Sequence, residues 1–204
     1  MAGFRSIAAV GKSIEMVLNA AYAAEEPIDT GPTRAKLIQT EDLDAVTTTL
    51  MRPALSIFLY RVDFNKAMRA SWSATGNTDG RAHLPLDLHY LLTAWADNAE
   101  HEHRVIGRSM QALEQLGALS GPLLYPDGEW LPGESVQLYL EDMATDDLMR
   151  TFDSLMAGFR LSIPYIARVV VVSSDETVPV PHVSTLISGL RPSVAASGAA
   201  RGTR

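Results

Sequence analysis

Residues 84–92 read LPLDLHYLL, and the alternation in this stretch decides how the rest of the chain is arranged. The even positions are all Leu or Tyr, whereas the odd positions include Pro85, Asp87 and His89. A period of two places alternate side chains on opposite faces of a β-strand, whereas an amphipathic helix repeats every three to four residues. The stretch therefore predicts a strand.

Two long apolar segments predict further strands. Residues 55–64 (LSIFLYRVDF) are largely apolar on both faces, which is typical of a central strand covered on both sides. Residues 162–173 (SIPYIARVVVVS) are the most β-prone part of the chain because β-branched residues dominate them. Such a strand is either central or a template on which another chain can pair, and the pattern favours a central strand. A shorter, half-buried strand is predicted at residues 136–140.

An amphipathic helix is predicted near the N-terminus. Its apolar face consists of Ile7, Val10, Ile14, Val17 or Leu18, and Ala21. Arg5 and the apolar run after it loosely resemble a secretion signal, but Lys12 and Glu15 interrupt that run. No segment approaches the roughly 18 apolar residues that a membrane span requires. We therefore expect no signal peptide and no direct membrane insertion.

Two more helices are predicted from their capping signals. Asp97 followed by Glu100 resembles a capping box, so a helix is expected to begin there and to end at Gly117. Its buried face is expected to contain Ala99, His103, Ile106, Met110 and Leu113. Thr145 is the expected N-cap of the last helix, with acidic residues in the first turn. The apolar stripe of that helix contains Leu148, Phe152, Leu155 or Met156, and Phe159.

The remaining segments are predicted to be connections and a tail. Residues 25–32 form a connector, residues 73–81 a polar turn and residues 119–133 a long loop, because Pro, Gly and polar residues recur in them. Beyond residue 189 the chain is rich in Ala, Ser, Gly and Arg, which cannot bury enough apolar surface to become ordered. We therefore expect one domain at 1–189 and a disordered tail at 190–204.

The order helix, strand, strand, helix, strand, helix, strand predicts an α+β, or mixed α/β, fold. Its core is expected to be a mostly antiparallel or mixed sheet with flanking helices. The chain has 204 residues, of which 47% are apolar and 20% charged, as in an ordinary globular domain.

Charge and cysteine content exclude several classes of protein. Seventeen Lys and Arg against 24 Asp and Glu give a net charge of −7. The last fourteen residues hold three Arg and no acid, which leaves 14 basic and 24 acidic residues in the rest. Such an acidic body is a poor surface for nucleic acid. The chain has no cysteine, which excludes a disulfide framework, thiolate zinc sites and cysteine catalysis.

Two motifs that resemble ligand-binding sites are better explained as parts of helices. Residues 6–13 (SIAAVGKS) come within one residue of a phosphate-binding loop, but no strand precedes them and they fit the first helix. His101 and His103 are two positions apart on a helix, which points them about 200° away from each other and does not suit one metal ion.

The candidate catalytic and calcium-binding residues also lack the motifs that such sites require. Asp87 and His89 lie on one face of the predicted strand, close enough to hydrogen-bond, but no nucleophile elbow and no recognisable carboxylate pair accompanies them. The acidic residues within 141–147 lack the Gly and terminal Glu of a calcium loop, so they are assigned to loop and helix-start charges. We therefore expect no catalytic residue, no metal ligand and no cofactor, and a protein that is not an enzyme.

Four segments together resemble a known family. They are residues 56–65 (SIFLYRVDFN), 81–94 (RAHLPLDLHYLLTA), 101–113 (HEHRVIGRSMQAL) and 159–172 (FRLSIPYIARVVVV). In order and spacing they are similar to the N-terminal domain of the cap, or tail-terminator, proteins of phage-tail-like contractile injection systems. The resemblance spans about residues 5–175, and PLDLHYLLTA is its most specific part.

The resemblance implies a structural role. The expected protein is a homo-hexameric ring that closes the distal end of the contracting sheath and inner tube and stops their elongation. Its implied partners are its own copies and the terminal rings of sheath protein and tube protein, with no nucleic acid. Its implied location is the bacterial cytoplasm during assembly and then the particle itself, with release by lysis left open.

The last predicted strand is the expected partner-facing or strand-exchanging element. The residues proposed for that interface are Tyr165, Arg168, Val170 and Val172. Two alternatives remain open at this point. One is a small adaptor that binds a peptide by strand addition, and the other is a ligand-binding α+β domain.

Overall fold

A computed structural model describes residues 2–44, 52–68, 81–153, 155 and 158–173. In these ranges the chain forms α1 (Ser6–Ala24), β1 (Arg34–Ile38), α2 (Thr40–Asp44), β2 (Ala54–Phe64), β3 (His83–Trp95), α3 (Ala99–Leu116), β4 (Ala118–Ser120), β5 (Ser135–Leu140), α4 (Thr145–Asp153) and β6 (Ser162–Ser173). The six strands form one sheet in the order β1-β2-β3-β6-β5-β4. Only β1 and β2 pair in parallel. This mixed sheet with helices confirms the predicted fold class.

Strand β3 is the centre of the sheet, as the alternation in residues 84–92 predicts. It pairs antiparallel with β2 on one side and with β6 on the other. Leu88 and Leu92 are fully buried in the core beneath α1 and α3, and Leu91 is buried on the opposite face. Because β3 is buried along almost its whole length, the polar side chains that it carries need partners within the protein.

Helix α1 packs on the sheet through the predicted apolar face. Val10, Ile14 and Leu18 belong to the main core, so the predicted face is confirmed. Gly11 lies within this helix rather than in a phosphate-binding loop, and a Cβ there would come 2.9 Å from Leu37 Cδ1. Glycine therefore lets α1 lie close to β1. In the part of the chain that the structure describes, no helix is long and apolar enough to cross a membrane.

Helix α1 also occupies the outer edge of β1. The Asn19 side chain donates to Ala35 O at 2.9 Å and accepts from Ala35 N at 3.0 Å. Glu15 Oε2 accepts from Leu37 N at 2.8 Å. Since β2 pairs with the other edge of β1, these bonds engage the backbone groups that an added strand would need.

Strand β2 differs from its prediction in burial. It was expected to be covered on both faces throughout, but only residues 54–57 are buried and residues 61–64 are exposed. The reason is the length of β1, which ends opposite Phe58 and leaves the second half of β2 paired only with β3 among the described elements. Strands β1 and β4 were not predicted. Strand β4 begins at Ala118, and its last two residues lie in the segment 119–133 that was expected to be a loop.

Helix α3 begins one residue later than predicted. Its N-cap is Asn98 rather than Asp97, since Asn98 Oδ1 accepts from His101 N at 2.9 Å. Its buried face begins at Val105, and the predicted face residue His103 is exposed. The end at Gly117 is confirmed by a φ of 60°, which glycine adopts without strain.

Helix α4 is shorter than predicted. It ends at Asp153, with Thr145 as its first helical residue rather than its cap. Phe159 lies beyond the helix and packs edge-on against Phe152, with 5.3 Å between ring centroids. Met156, all but the last residue of the predicted turn at 73–81, and the predicted tail at 190–204 lie outside the described residues.

Replacing the residue that bonds the β1 edge should destabilise the fold. Asn19→Leu leaves the Ala35 N–H and C=O without those partners, so we expect the free energy of unfolding to fall by about 1–3 kcal/mol. Urea denaturation measures this loss. Lys12→Met is the control, because it removes only a partly exposed ion pair with Glu15 and should cost under about 1 kcal/mol. Equal stability of Asn19→Leu and wild type would show that the Asn19 bonds to β1 do not stabilise the fold.

Candidate functional site

Among the described residues, the face of the sheet opposite α1 and α3 is covered at one end and open at the other. At the covered end Trp95 packs with Leu43 and Leu155. The Arg160 guanidinium lies 4.5 Å from the centre of the Trp95 indole ring. At the other end is an open cleft of about 1100 Å³. We call it the sheet cleft, and its main lining residues are Asp63, Asp87, His89, Tyr139, Glu141 and Arg168.

His89 is the most enclosed polar group of the sheet cleft. Its ring Nδ1 lies 2.8 Å from Glu141 Oε1, and its Nε2 lies 3.4 Å from Asp63 Oδ2. Glu141 also accepts from Tyr60 Oη at 3.0 Å and from an Arg61 guanidinium nitrogen at 3.2 Å. Burial and the neighbouring Glu141 carboxylate raise the pKa of Tyr60 above its usual range, so this hydroxyl remains a donor. One carboxylate thus joins three strands.

Asp87 forms a second, separate set of bonds. It accepts from Asn65 Nδ2 at 3.0 and 3.2 Å and from Arg168 Nε at 3.4 Å. Asp87 and Asn65 are both buried, and a buried carboxylate is stable only when paired and hydrogen-bonded. Asp87 and His89 therefore share a face, as the alternation predicts, but each is bonded to different partners.

Glu141 is the residue that the sequence reasoning missed. It was assigned to loop charges, but its backbone N–H donates to Pro164 O at 3.0 Å and so continues the pairing of β5 with β6. The same period of two that revealed β3 would have placed Glu141 on the polar face, after Gln137 and Tyr139. The partner of Glu141 could not be found in this way because His89 is 52 positions away.

The four residues proposed for a partner interface lie on both faces of β6. This strand sits between β3 and β5, which confirms the central-strand alternative. Tyr165 and Val170 are buried in the main core, and Val172 packs against it. Arg168 lies on the other face, where half of its side chain is exposed and lines the sheet cleft. Of the four, only Arg168 reaches the open surface of the cleft.

The polar side chains of the sheet cleft are bonded mainly to one another. Within the described residues, no group of three or more His, Asp or Glu side chains is arranged to hold a metal ion. The bonding partners of His89 are two carboxylates and the Arg61 guanidinium, so none of them is a nucleophile that an imidazole could activate. The base of the cleft consists of bonded polar side chains, among them Asp87, His89 and Glu141, and its sides carry charged and apolar residues.

The structure therefore defines a mixed α/β domain. Helices α1 and α3 cover one face of its sheet, and the other face carries the sheet cleft at one end. Residues 9–185 match the family model of the Pvc16 N-terminal domain, and the chain belongs to that family. All four segments that carry the sequence resemblance lie within the matched range, which confirms the resemblance.

Two solved structures have a similar fold. One is the sheath/tube terminator of an extracellular contractile injection system, PVC, in the extended state: it is 22% identical, with 89% of this chain and 64% of that chain covered, at a TM-score of 0.50. The other is the tube-terminating cap of the anti-feeding prophage: it is 19% identical, with 89% and 60% covered, at a TM-score of 0.54. The chain spans less than two thirds of either protein. No match was found among curated proteins.

Removing the shared carboxylate should loosen the cleft floor. Glu141→Ala leaves His89, Tyr60 and Arg61 without a common acceptor, so we expect the free energy of unfolding to fall by about 1–3 kcal/mol. Urea denaturation monitored by circular dichroism checks this. Asp146→Ala, at an exposed position in the first turn of α4, is the matched control and should cost under about 1 kcal/mol, the usual contribution of an acidic residue there. If both variants behave alike, the network does not hold the sheet together.

The burial of Tyr165 leads to a prediction of how the free energy of unfolding changes at alkaline pH. Burial, with the Glu114 carboxylate as a second cause, raises the pKa of Tyr165 to about 12. An unfolded tyrosine titrates near pH ~10, so the free energy of unfolding should fall as the pH rises from about 10 to 12. Tyr165→Phe should reduce this decline. It should also be at least as stable at neutral pH, because the Tyr165 hydroxyl has no partner among the described residues.

Urea midpoints of wild type and Tyr165→Phe on either side of this pH window are the measurement. Tyr139→Phe is the control, since that ring is 45% exposed, and it should keep the wild-type decline. A Tyr165→Phe protein with an unchanged decline would assign the alkaline loss to other groups.

Proposed function

We propose that this chain is the domain that caps the tail of a contractile injection particle, closing the distal end of sheath and inner tube and stopping their elongation. The observation that carries the proposal is the family match over residues 9–185, supported by two terminator structures that cover 89% of the chain. In this role the protein has no catalytic step and no cofactor.

The sheet edges suit a subunit that ends a stack. Head-to-tail contacts between identical rings leave an open end, which grows until a ring arrives that offers no further pairing surface. In this chain the outer edge of β1 is bonded to α1, and the opposite edge strand, β4, has only three residues. Short or covered edges do not act as templates for another strand, and among the described residues the second half of β2, which pairs only with β3, is the longer edge that stays accessible.

The proposed partners are further copies of the chain in a homo-hexameric ring, and the terminal rings of sheath and tube protein. Residues 1–189 are the proposed folded unit, with 190–204 as a tail. Assembly is proposed to occur in the bacterial cytoplasm, without nucleic acid or membrane insertion. Within β6, Arg168 is proposed to lie at the partner-facing surface, where it pairs with Asp87, while Tyr165, Val170 and Val172 fix the strand that presents it.

Electron microscopy of particles from the native host, with and without this gene, tests the proposal. We expect irregular, open-ended or absent tails after deletion, and normal tails after the intact chain is restored. Capped tails of unchanged length without the gene would contradict the proposal. A monomer in solution that binds a peptide or small ligand would then favour an adaptor or ligand-binding domain.

A further inference from the structure

The sheet cleft is a surface that the described residues leave open, whereas two of the places where a further strand could pair are occupied. The outer edge of β1 is bonded to Glu15 and Asn19. At the end of β6, Ser173 N donates to Ala2 O at 3.1 Å, so the N-terminus covers the position beside the strand. Helices α1 and α3 pack on the other face of the sheet. Among the described residues, the surfaces of the sheet that remain accessible are therefore the cleft and the second half of β2, which pairs only with β3.

We propose that the sheet cleft receives a segment of a partner protein that carries a Lys or Arg side chain beside apolar residues. The inference rests on the proposed function, in which that partner is a tube or sheath subunit of the terminal ring. The chemistry of the partner segment is inferred from the cleft itself, that is, from the charge and the exposed apolar surface of its lining.

The charge of the cleft is complementary to a cation. Four carboxylates line it, on Asp63, Asp87, Glu141 and Asp142, against the cationic side chains Lys66 and Arg168. Arg168 is already paired with Asp87. The Asp63 side chain is half exposed, and it lies 3.0 Å from Arg61 and 3.4 Å from His89. Arg61 also pairs with Glu141, so the four carboxylates face three cationic side chains, Arg61, Lys66 and Arg168. The surplus of one carboxylate favours an arriving ammonium or guanidinium group over a phosphate or an acidic segment.

The apolar part of the lining explains why the partner is a peptide segment rather than a simple cation. Tyr139 and Leu140 each expose nearly half of their surface, at 45% and 47%, and Phe64 exposes 43%. Large apolar side chains clustered around a polar floor are typical of contact surfaces, in which the apolar area supplies affinity and the charges set the orientation. The floor is pre-organised because Asp87, His89 and Glu141 are bonded before any partner arrives.

Short overlapping peptides that cover the tube and sheath proteins of the same particle are the probe, titrated against the full chain by fluorescence anisotropy. We expect binding by peptides in which Lys or Arg lies beside apolar residues, and weaker binding when that cation is replaced by Ala or when salt is raised. Peptides that bind equally well without the cation would overturn the proposal, as would the absence of any binding peptide.

Two cleft variants should change the affinity in opposite directions. Asp63→Asn removes a carboxylate and should weaken binding about tenfold. Arg168→Gln releases the Asp87 carboxylate from its cation and should strengthen binding. Asp146→Asn, an equal charge change on exposed α4, should bind like wild type, and thermal melts establish that all three variants are folded. The reverse order of affinities would mean an acidic partner and would reject the proposal.

The remaining outcomes separate other occupants from this one. Tighter peptide binding by a chain truncated after residue 189 would assign the cleft to the chain's own tail. Self-association that is lost in Asp63→Asn would assign it to a second copy, and either result overturns the proposal. Particles carrying Asp63→Asn should be poorly capped. If they are normal while gene deletion still gives open tails, the cleft assignment fails and the cap function stands.

Discussion

The structure depends on burying β3, a strand that is apolar on one face and carries Asp87 and His89 on the other. A carboxylate and an imidazole in the middle of a covered strand cost free energy unless other groups satisfy them. The partners come from the turn after β2, from β6 and from the end of β5: Asn65, Arg168 and Glu141. Polar bonds on one face and apolar packing on the other therefore fix the same register, because a slip of one residue would place the polar side chains in the helix-covered core.

Helix α1 adds a second constraint at the edge of the sheet. One side of the helix fills the core with Val10, Ile14 and Leu18, while Glu15 and Asn19 bond the backbone of β1. The packing of the helix therefore determines whether the edge is open or closed. A single element thus links the stability of the domain to the closure of the β1 edge, and a closed edge of this kind suits the proposed cap function.

The sequence predicts those parts of this structure whose signal is local. The alternation in 84–92, the β-branched run in β6 and the apolar spacing in α1 each identify an element, since each is long enough to show its own period. Strand β1 has five residues, and its outer-edge bonds come from residues 16 and 22 positions away, so no local pattern reveals it. The sheet cleft is less predictable still, because strand order rather than sequence brings Glu141 beside His89.

The modest charge of the cleft has a consequence for assembly. Attraction between exposed charges is screened beyond about 8 Å at physiological ionic strength, so a small surplus of carboxylate acts only on a segment that is already near. In the proposed ring that segment is delivered by the last tube or sheath ring, and several copies engage together. Linked contacts of modest affinity then hold the ring firmly, while one free chain binds a free subunit weakly. A cleft of this kind distinguishes the finished end of a stack from its unassembled subunits, which a tight single site would not do.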